Sequence, residues 1–330
     1  MKTEASLPRK KASLWSRATS VKEFSVTVIL LVLIVFACIM SPAFLSAANL
    51  RTTAIGFSCN GIIAIAMTLA LVSGGFDLSV GSVLGLSSAC TVIIANSGVN
   101  IWVAALCGIA AGLVCGVING LLIGYLKLNA FITTLGMQQI ARGAVYVLTN
   151  GGSVGLADGV GVKAFRFLGS GSIGNFPMLV IIFLVMVIAG DILVRRSGAA
   201  RNVFFVGSNE KSAVLCGIDS NKIKLVVYTL TGFLSGLAGV LTASRFGTAT
   251  SSTGNGVEMT VISAAVIGGA SLSGGKGTVA GAVLGVILMS VISNILVILN
   301  VSVHWQTLIT GVILIAAVVF DVLSNRKKHH

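Results

Sequence analysis

The chain has 330 residues, of which 55% are hydrophobic and only 9% charged, with a mean hydropathy of +1.02 and a net charge of +13. That much apolar surface excludes a soluble globular protein, whose charged fraction averages roughly a quarter. The positive charge does not mark a nucleic-acid binder either, because the basic residues sit at the ends of apolar runs, where they orient segments in a bilayer.

A basic tail, residues 1–24, carries Lys2, Arg9, Lys10, Lys11, Arg17 and Lys22 ahead of the first apolar run at 25–41. No small-residue cleavage site follows that run, so it reads as an anchor rather than a removable signal. The second run, 53–73, contains Asn60 and Thr68 and ends in Gly74-Gly75-Phe76-Asp77-Leu78-Ser79-Val80-Gly81. Helix-breaking glycines and an acid between membrane-length segments are expensive unless they line a loop, a cavity or a protein interface. Asp77 therefore either caps the next helix through Leu78 and Ser79 or meets a polar ligand or partner.

A short third run, 81–96, leads to a fourth at 101–126, where Gly108, Gly112 and Gly116 repeat on one helix face and suit close packing against another backbone. The fourth run also holds Asn119. The fifth, 130–148, carries Phe131, Thr134, Gln138, Gln139, Arg142 and Tyr146, with Gln138 and Arg142 one turn apart. Such a face is too polar for lipid and should look into the bundle or a watery path. Amides, hydroxyls and aromatic faces of this kind either glue helices together or meet a hydroxyl-rich ligand.

A glycine-rich segment, 150–175, joins the fifth run to a sixth at 176–194 and could act as a plug or a docking surface. Next comes the most charged stretch after the N-terminal tail, 195–222, containing Gly207-Ser208-Asn209-Glu210-Lys211-Ser212-Ala213-Val214-Leu215-Cys216-Gly217-Ile218. Ser208 or Asn209 can cap a helix there, Glu210 suits its positive end, and Gly217 can supply a left-handed stop. The residues alone fit either a rigid knob for a soluble partner or an orderly connector. Four further runs follow at 223–245, 257–270, 277–299 and 303–323, before a tail at 324–330. Between the eighth and ninth lies an echo of the first motif, Gly268-Gly269-Ala270-Ser271-Leu272-Ser273-Gly274-Gly275, with Ser271 where Asp77 stands.

Ten runs are long enough, or nearly so, to cross about 30 Å of hydrocarbon. The short third and eighth adjoin the paired glycine motifs, where a transporter would place discontinuous helices. With both termini cytoplasmic, seventeen basic residues fall inside, four (Arg51, Lys163, Arg166 and Arg245) fall outside, and Arg142 lies within a span. The expected class is an all-α integral membrane protein of about ten helices. Catalytic signatures are missing: Gly275-Lys276-Gly277-Thr278 lacks the spacing and strand context of a phosphate-binding loop. Six cysteines without Cys-x-x-Cys spacing, and His304 as the one histidine before His329-His330, give no metal pattern.

From about residue 25 the chain resembles the permease subunit of ribose-type carbohydrate ABC importers. The resemblance rests on four ordered segments: AIAMTLALVSGGFDLSVGSVLGLS, NAFITTLGMQQIARGAVYVLTNG, ARNVFFVGSNEKSAVLCGIDSNKIK and VISAAVIGGASLSGGKGTVAGAVLG. It implies a type II importer-like permease domain over 25–323 in a bacterial inner membrane, paired with a second copy or a sibling permease. A cytoplasmic ATPase carrying ATP and magnesium, and an extracytoplasmic sugar-binding protein, would complete the assembly, and this chain would bind no cofactor itself. The implied coupling helix occupies Asn209, Glu210, Ala213, Gly217 and Ile218 within the loop 195–222. Ser208, Lys211 and Ser212 stand where relatives often have glycine or alanine. Branched-chain amino acid import and secondary transport are the competing readings; the first would need groups for a zwitterion, available only at Arg142, Asp77 and Glu258, and the second an ion-coupling acid or histidine in the membrane.

Overall fold

The computed structural model describes residues 22–326; the basic positions before Lys22 and the end of the C-terminal tail after Arg326 lie outside them. Thirteen α-helices occur among the described residues: α1 (Lys22–Met40), α2 (Ala47–Val72), α3 (Val80–Asn96), α4 (Ile101–Gly124), α5 (Ala130–Thr149), α6 (Val162–Ser170), α7 (Met178–Arg196), α8 (Gly198–Ser208), α9 (Glu210–Leu215), α10 (Ser220–Phe246), α11 (Val257–Ile267), α12 (Val279–Ile298) and α13 (Val303–Arg326). Each of the ten apolar runs forms a helix. Six of these helices, α1, α2, α4, α7, α10 and α12, are long and apolar enough to cross a membrane by themselves. The apolar stretches of α3, α11 and α13 are shorter.

The shortness of α3 and α11 has a local cause, because each abuts a glycine motif that ends one helix and starts the next. At the first motif Gly74 takes φ +85°, a left-handed conformation that reverses the chain after α2 without a Cβ clash. The fold contains two features that the sequence pattern does not announce. Segment 150–175 holds α6 and the strand β2 (Ser172–Ile173), which pairs with β3 (Phe176–Pro177) just beyond it, and α8 precedes α9 in the charged loop. Both helices are short, and glycine-rich or polar surroundings hide their periodicity.

Helix α2 is the axis of the bundle. Residues Ile62 to Val72 are almost wholly enclosed by α7, α10, α11 and α12, forming the largest apolar core. At the other extreme, α7 leaves Leu184, Val185, Ile188 and Ile192 exposed, the surface expected of a helix facing lipid. The closest helix pair is α4 with α10, and glycine explains it. A Cβ at Gly112 would stand 2.6 Å from the Gly232 carbonyl oxygen and 2.7 Å from the Gly236 Cα, and one at Gly116 only 2.9 Å from the Gly232 Cα. The glycine face of the fourth run thus meets a second glycine face, and the two backbones touch along a seam.

Strand β1 (Ser153–Gly155) pairs antiparallel with β4 (Thr248–Thr250), aligning Val154 with Ala249. The Ser251 N–H extends the ribbon by donating to the Gly152 carbonyl at 2.9 Å. This ribbon fixes the turn 251–256, which leads into α11 and carries part of the polar site.

Candidate translocation and coupling sites

Most of the polar residues singled out in the sequence fall into three clusters and one exposed lever. The first cluster forms where the first glycine motif enters α3. Asp77 is buried, and its Oδ1 accepts the Ser79 N–H at 2.8 Å and the Ser79 hydroxyl at 2.5 Å. The Thr231 hydroxyl on α10 lies 2.9 Å from Oδ2, and the Asn119 amide on α4 donates to the Ser79 Oγ at 3.1 Å. Asp77 thus closes the turn that starts α3 and ties it to two neighbouring helices. Beside it, the Tyr228 hydroxyl reaches the Phe76 carbonyl at 3.4 Å, and the Phe76 ring packs edge-on against Phe131, 6.1 Å between centroids.

The second cluster gathers Gln138 and Arg142 from α5, Glu258 from α11 and the turn after β4. Arg142 Nη1 donates to the Ser251 and Thr253 carbonyls at 3.1 and 2.8 Å, and Gln138 Nε2 donates to Glu258 Oε1 at 3.3 Å. The other carboxylate oxygen, Glu258 Oε2, is buried without a hydrogen-bond partner. Gly81 and Gly85, one turn apart on α3, make the room. A Cβ at Gly81 would collide with Glu258 Oε2, and one at Gly85 would stand 2.6 Å from the Thr253 carbonyl oxygen. A carboxylate on α11 and an amide and a guanidinium on α5 bring donors and acceptors together in a form that can meet a polyhydroxylated solute.

The third cluster belongs to the second glycine motif. The Ser273 N–H points at Ser271 Oγ, 3.3 Å away, matching the position of Ser79 relative to Asp77. The carboxylate comes from elsewhere: Ser271 Oγ donates to Asp321 Oδ2 on α13 at 3.1 Å, and the Leu272 N–H approaches the same oxygen at 3.4 Å. Both motifs therefore contain a buried acid, one local and one supplied fifty positions later.

Other candidates stand apart from these clusters. The Thr68 and Thr134 hydroxyls donate to the carbonyls of Ala64 and Ala130 in their own helices, at 2.7 and 2.8 Å. Asn60 is half-buried on α2, away from all three clusters. Glu258 was visible in the sequence only as one acid near a span, and Thr231 and Asp321 gave no signal, because their partners are remote in sequence.

The lever is α8 with α9. Ser197 caps α8, accepting the Ala200 N–H at 3.4 Å, and extended Asn209 separates the helices while capping α9 through the Ser212 N–H at 3.0 Å. Gly217, at φ +82°, ends the turn, with its N–H on the Val214 carbonyl at 2.9 Å, and the Ile218 N–H closes on the Ala213 carbonyl at 3.0 Å. Ala213 is buried, whereas Val214 is 51% and Leu215 88% exposed, so an apolar tip projects from a capped helix. Glu210 braces the base of that helix, pairing with Lys224 Nζ at 2.7 Å and Lys127 Nζ at 3.5 Å. Partial burial raises the proton affinity of Glu210, but hydrogen bonds from Lys224 and Ser220 and the two lysine charges outweigh it, holding the carboxyl below its usual range.

The inner end of the lever is wedged between the two glycine motifs. The Gly275 N–H donates to the Val72 carbonyl at 2.8 Å, and a Cβ at Gly207 would land on that carbonyl oxygen, 2.9 Å from the Gly275 nitrogen. A Cβ at Gly274 would collide with the Gly207 carbonyl and stand 3.1 Å from the Gly74 Cα. Three backbone segments meet here with no side chain between them.

Residues 49–318 match the family described as branched-chain amino acid transport system / permease component. The L-arabinose transport system permease protein AraH of Escherichia coli is 33% identical over 306 residues, spanning 93% of this chain and 92% of that protein. The ribose import permease protein RbsC of Escherichia coli is 35% identical over 299 residues, or 91% and 92% of the two chains. RbsC of Bacillus subtilis is 36% identical over 293 residues, or 88% and 90%. Apolar helices clustered round α2, two glycine-broken helix pairs and these matches over most of its length converge on one conclusion: the chain is an all-α integral membrane permease and belongs to this family of transport-system permease components.

Proposed function

We propose that this chain is the membrane permease of an ATP-driven ABC importer for a monosaccharide, with five-carbon sugars such as those named for its relatives the first candidates. The observation that carries the coupling part of this reading is the lever: a capped helix with an exposed Val214–Leu215 tip, joined by α8 to a junction of both glycine motifs. The tip would seat in a cytoplasmic ATPase that holds ATP and magnesium, while this chain supplies the path and performs no hydrolysis. An extracytoplasmic binding protein would deliver the sugar, and a second copy or a sibling permease would complete the path. The ten helices matching the apolar runs would all cross the membrane with both termini cytoplasmic, as the distribution of basic residues favours.

In this scheme nucleotide-driven movement of α9 shifts α8, and the glycine junction passes the shift to α2–α3 and α11–α12 together, changing which side of the bundle is open. Glu258 of the Gln138–Arg142–Glu258 cluster lies on α11, which this shift would move against Gln138 and Arg142 on α5, and the cluster offers transient hydrogen bonds to sugar hydroxyls.

The test is reconstitution of the permease with its ATPase and binding protein in lipid vesicles. Uptake of ribose or arabinose that requires ATP supports the reading; uptake of leucine instead would overturn the sugar assignment. Gly217→Val, which strains a left-handed position, and Glu210→Lys, which sets a cation against a helix N-terminus and repels Lys224, should both lower ATPase co-purification and stimulated hydrolysis. Normal coupling in both variants would make α9 a passive connector.

A further inference from the structure

A cavity of about 410 Å³ lies where the basic end of α7 meets α8 and α10, lined mainly by apolar side chains including Leu193, Val203, Val226 and Leu230. It opens beside the most lipid-exposed helix of the bundle, below the exposed column Leu184, Ile188 and Ile192. The mouth is basic. Lys222 lines the cavity, and Arg196 and Arg201 lie on the adjoining turns, all exposed and without ion-pair partners among the described residues. Arg195 is held by Asp191 at 2.7 Å. The acidic lining residue, Asp219, directs its Oδ1 to the Asn221 and Lys222 N–H groups at 3.0 and 3.1 Å, capping α10.

We propose that this cavity is a binding site for one anionic phospholipid. An acyl chain continuing down the α7 face enters the apolar cavity, and the phosphate headgroup meets Lys222 and Arg196 at the membrane surface. The charge complementarity selects an anionic headgroup, because basic residues at a membrane surface attract acidic lipid and a zwitterionic lipid gains little from them. The apolar lining excludes a free phosphate ion as the occupant, since such an ion would use the mouth alone and leave the cavity unfilled. Ile218, directly after the stop of α9, also lines the cavity, so the lipid lies against the base of the lever.

The experiment is native mass spectrometry of the full-length permease equilibrated with equal amounts of phosphatidylglycerol and phosphatidylcholine. The wild type should retain phosphatidylglycerol preferentially. Lys222→Gln and Arg196→Gln should each lower that preference about five-fold, and Ala199→Phe, an exposed lining position, should lower retention of both lipids. Lys163→Gln, in the 150–175 segment, should leave both unchanged. Melting temperatures measured alongside confirm that each variant folds. Equal retention of the two lipids by the wild type, or a preference that survives all three cavity variants, would overturn the proposal. The binding readout needs no ATPase and no sugar, so its failure is separate from failure of the transport reading.

Discussion

Replacing Gly207 with alanine places one methyl group where three backbones meet. The added Cβ would lie on the Val72 carbonyl oxygen, 2.8 Å from the Val72 carbonyl carbon and 2.9 Å from the Gly275 nitrogen. Ordinary contact for such atoms is near 3.5 Å and the oxygen is the tightest of the three, so α8 must retreat from α2 and the second glycine motif by about 1.5 Å or more. Overpacking of this kind costs about 1–3 kcal/mol, and loss of the Gly275–Val72 hydrogen bond would add about 1 kcal/mol. The variant should therefore lose several degrees of thermal stability and, more tellingly, lose most binding-protein-stimulated hydrolysis while still holding the ATPase. Gly198→Ala is the control, since nothing lies within 4 Å of a Cβ there on the same helix. The measurements are melting of the purified permease and stimulated ATP hydrolysis in reconstituted lipid. If Gly207→Ala couples and melts like Gly198→Ala, the junction is compliant and does not carry motion from the lever.

Arg142→Leu should destabilise the fold by about 2–4 kcal/mol, because the Ser251 and Thr253 carbonyls lose a charged donor beside buried Glu258; unchanged abundance and transport would show the cluster to be dispensable. The depressed pKa of Glu210 has a definite sign: its anchoring contributes above the unfolded glutamate value, about 4.3, and is lost as pH falls through the lower folded value. Hydrogen exchange over 209–218 should thus lose protection only on that acid side in the wild type, and Glu210→Gln should show reduced protection at neutral pH with no acid step. Identical profiles would remove Glu210 from the anchor. Cysteine at exposed Ser170, in a version lacking the other cysteines, should react with an impermeant thiol reagent added outside intact cells; labelling only after lysis would refute the ten-span arrangement.

The positions of the long helices were legible because membrane-length apolar runs and basic flanks act locally. The cap of α9 was legible for the same reason, since Asn209 and Gly217 perform their roles within a few residues. What the sequence could not place were the contacts between distant segments. Glu210 meets Lys127 across eighty-three positions and Gln138 meets Glu258 across one hundred and twenty. Arg142 is satisfied by main-chain carbonyls, which leave no trace in side-chain identity. Helices α6 and α8 escaped because a short amphipathic turn among glycines or charges lacks a span's length and hydropathy.

The two glycine turns also differ in when they acquire their acid. Asp77 closes its turn on Ser79 with residues already adjacent, so that geometry is available as soon as α2 and α3 are inserted. The second turn draws its carboxylate from Asp321 near the end of the last helix. The turn itself is closed by its own backbone, the Ser271 N–H on the Lys276 carbonyl at 2.9 Å and the Gly274 N–H on the Ser271 carbonyl at 3.1 Å, so Asp321 adds a tie from α13 rather than the closure. The same carboxylate chemistry thus does two jobs: in the first motif the acid belongs to the turn it closes, whereas Asp321 fastens the C-terminal helix onto a turn beside the lever junction that is already closed on itself.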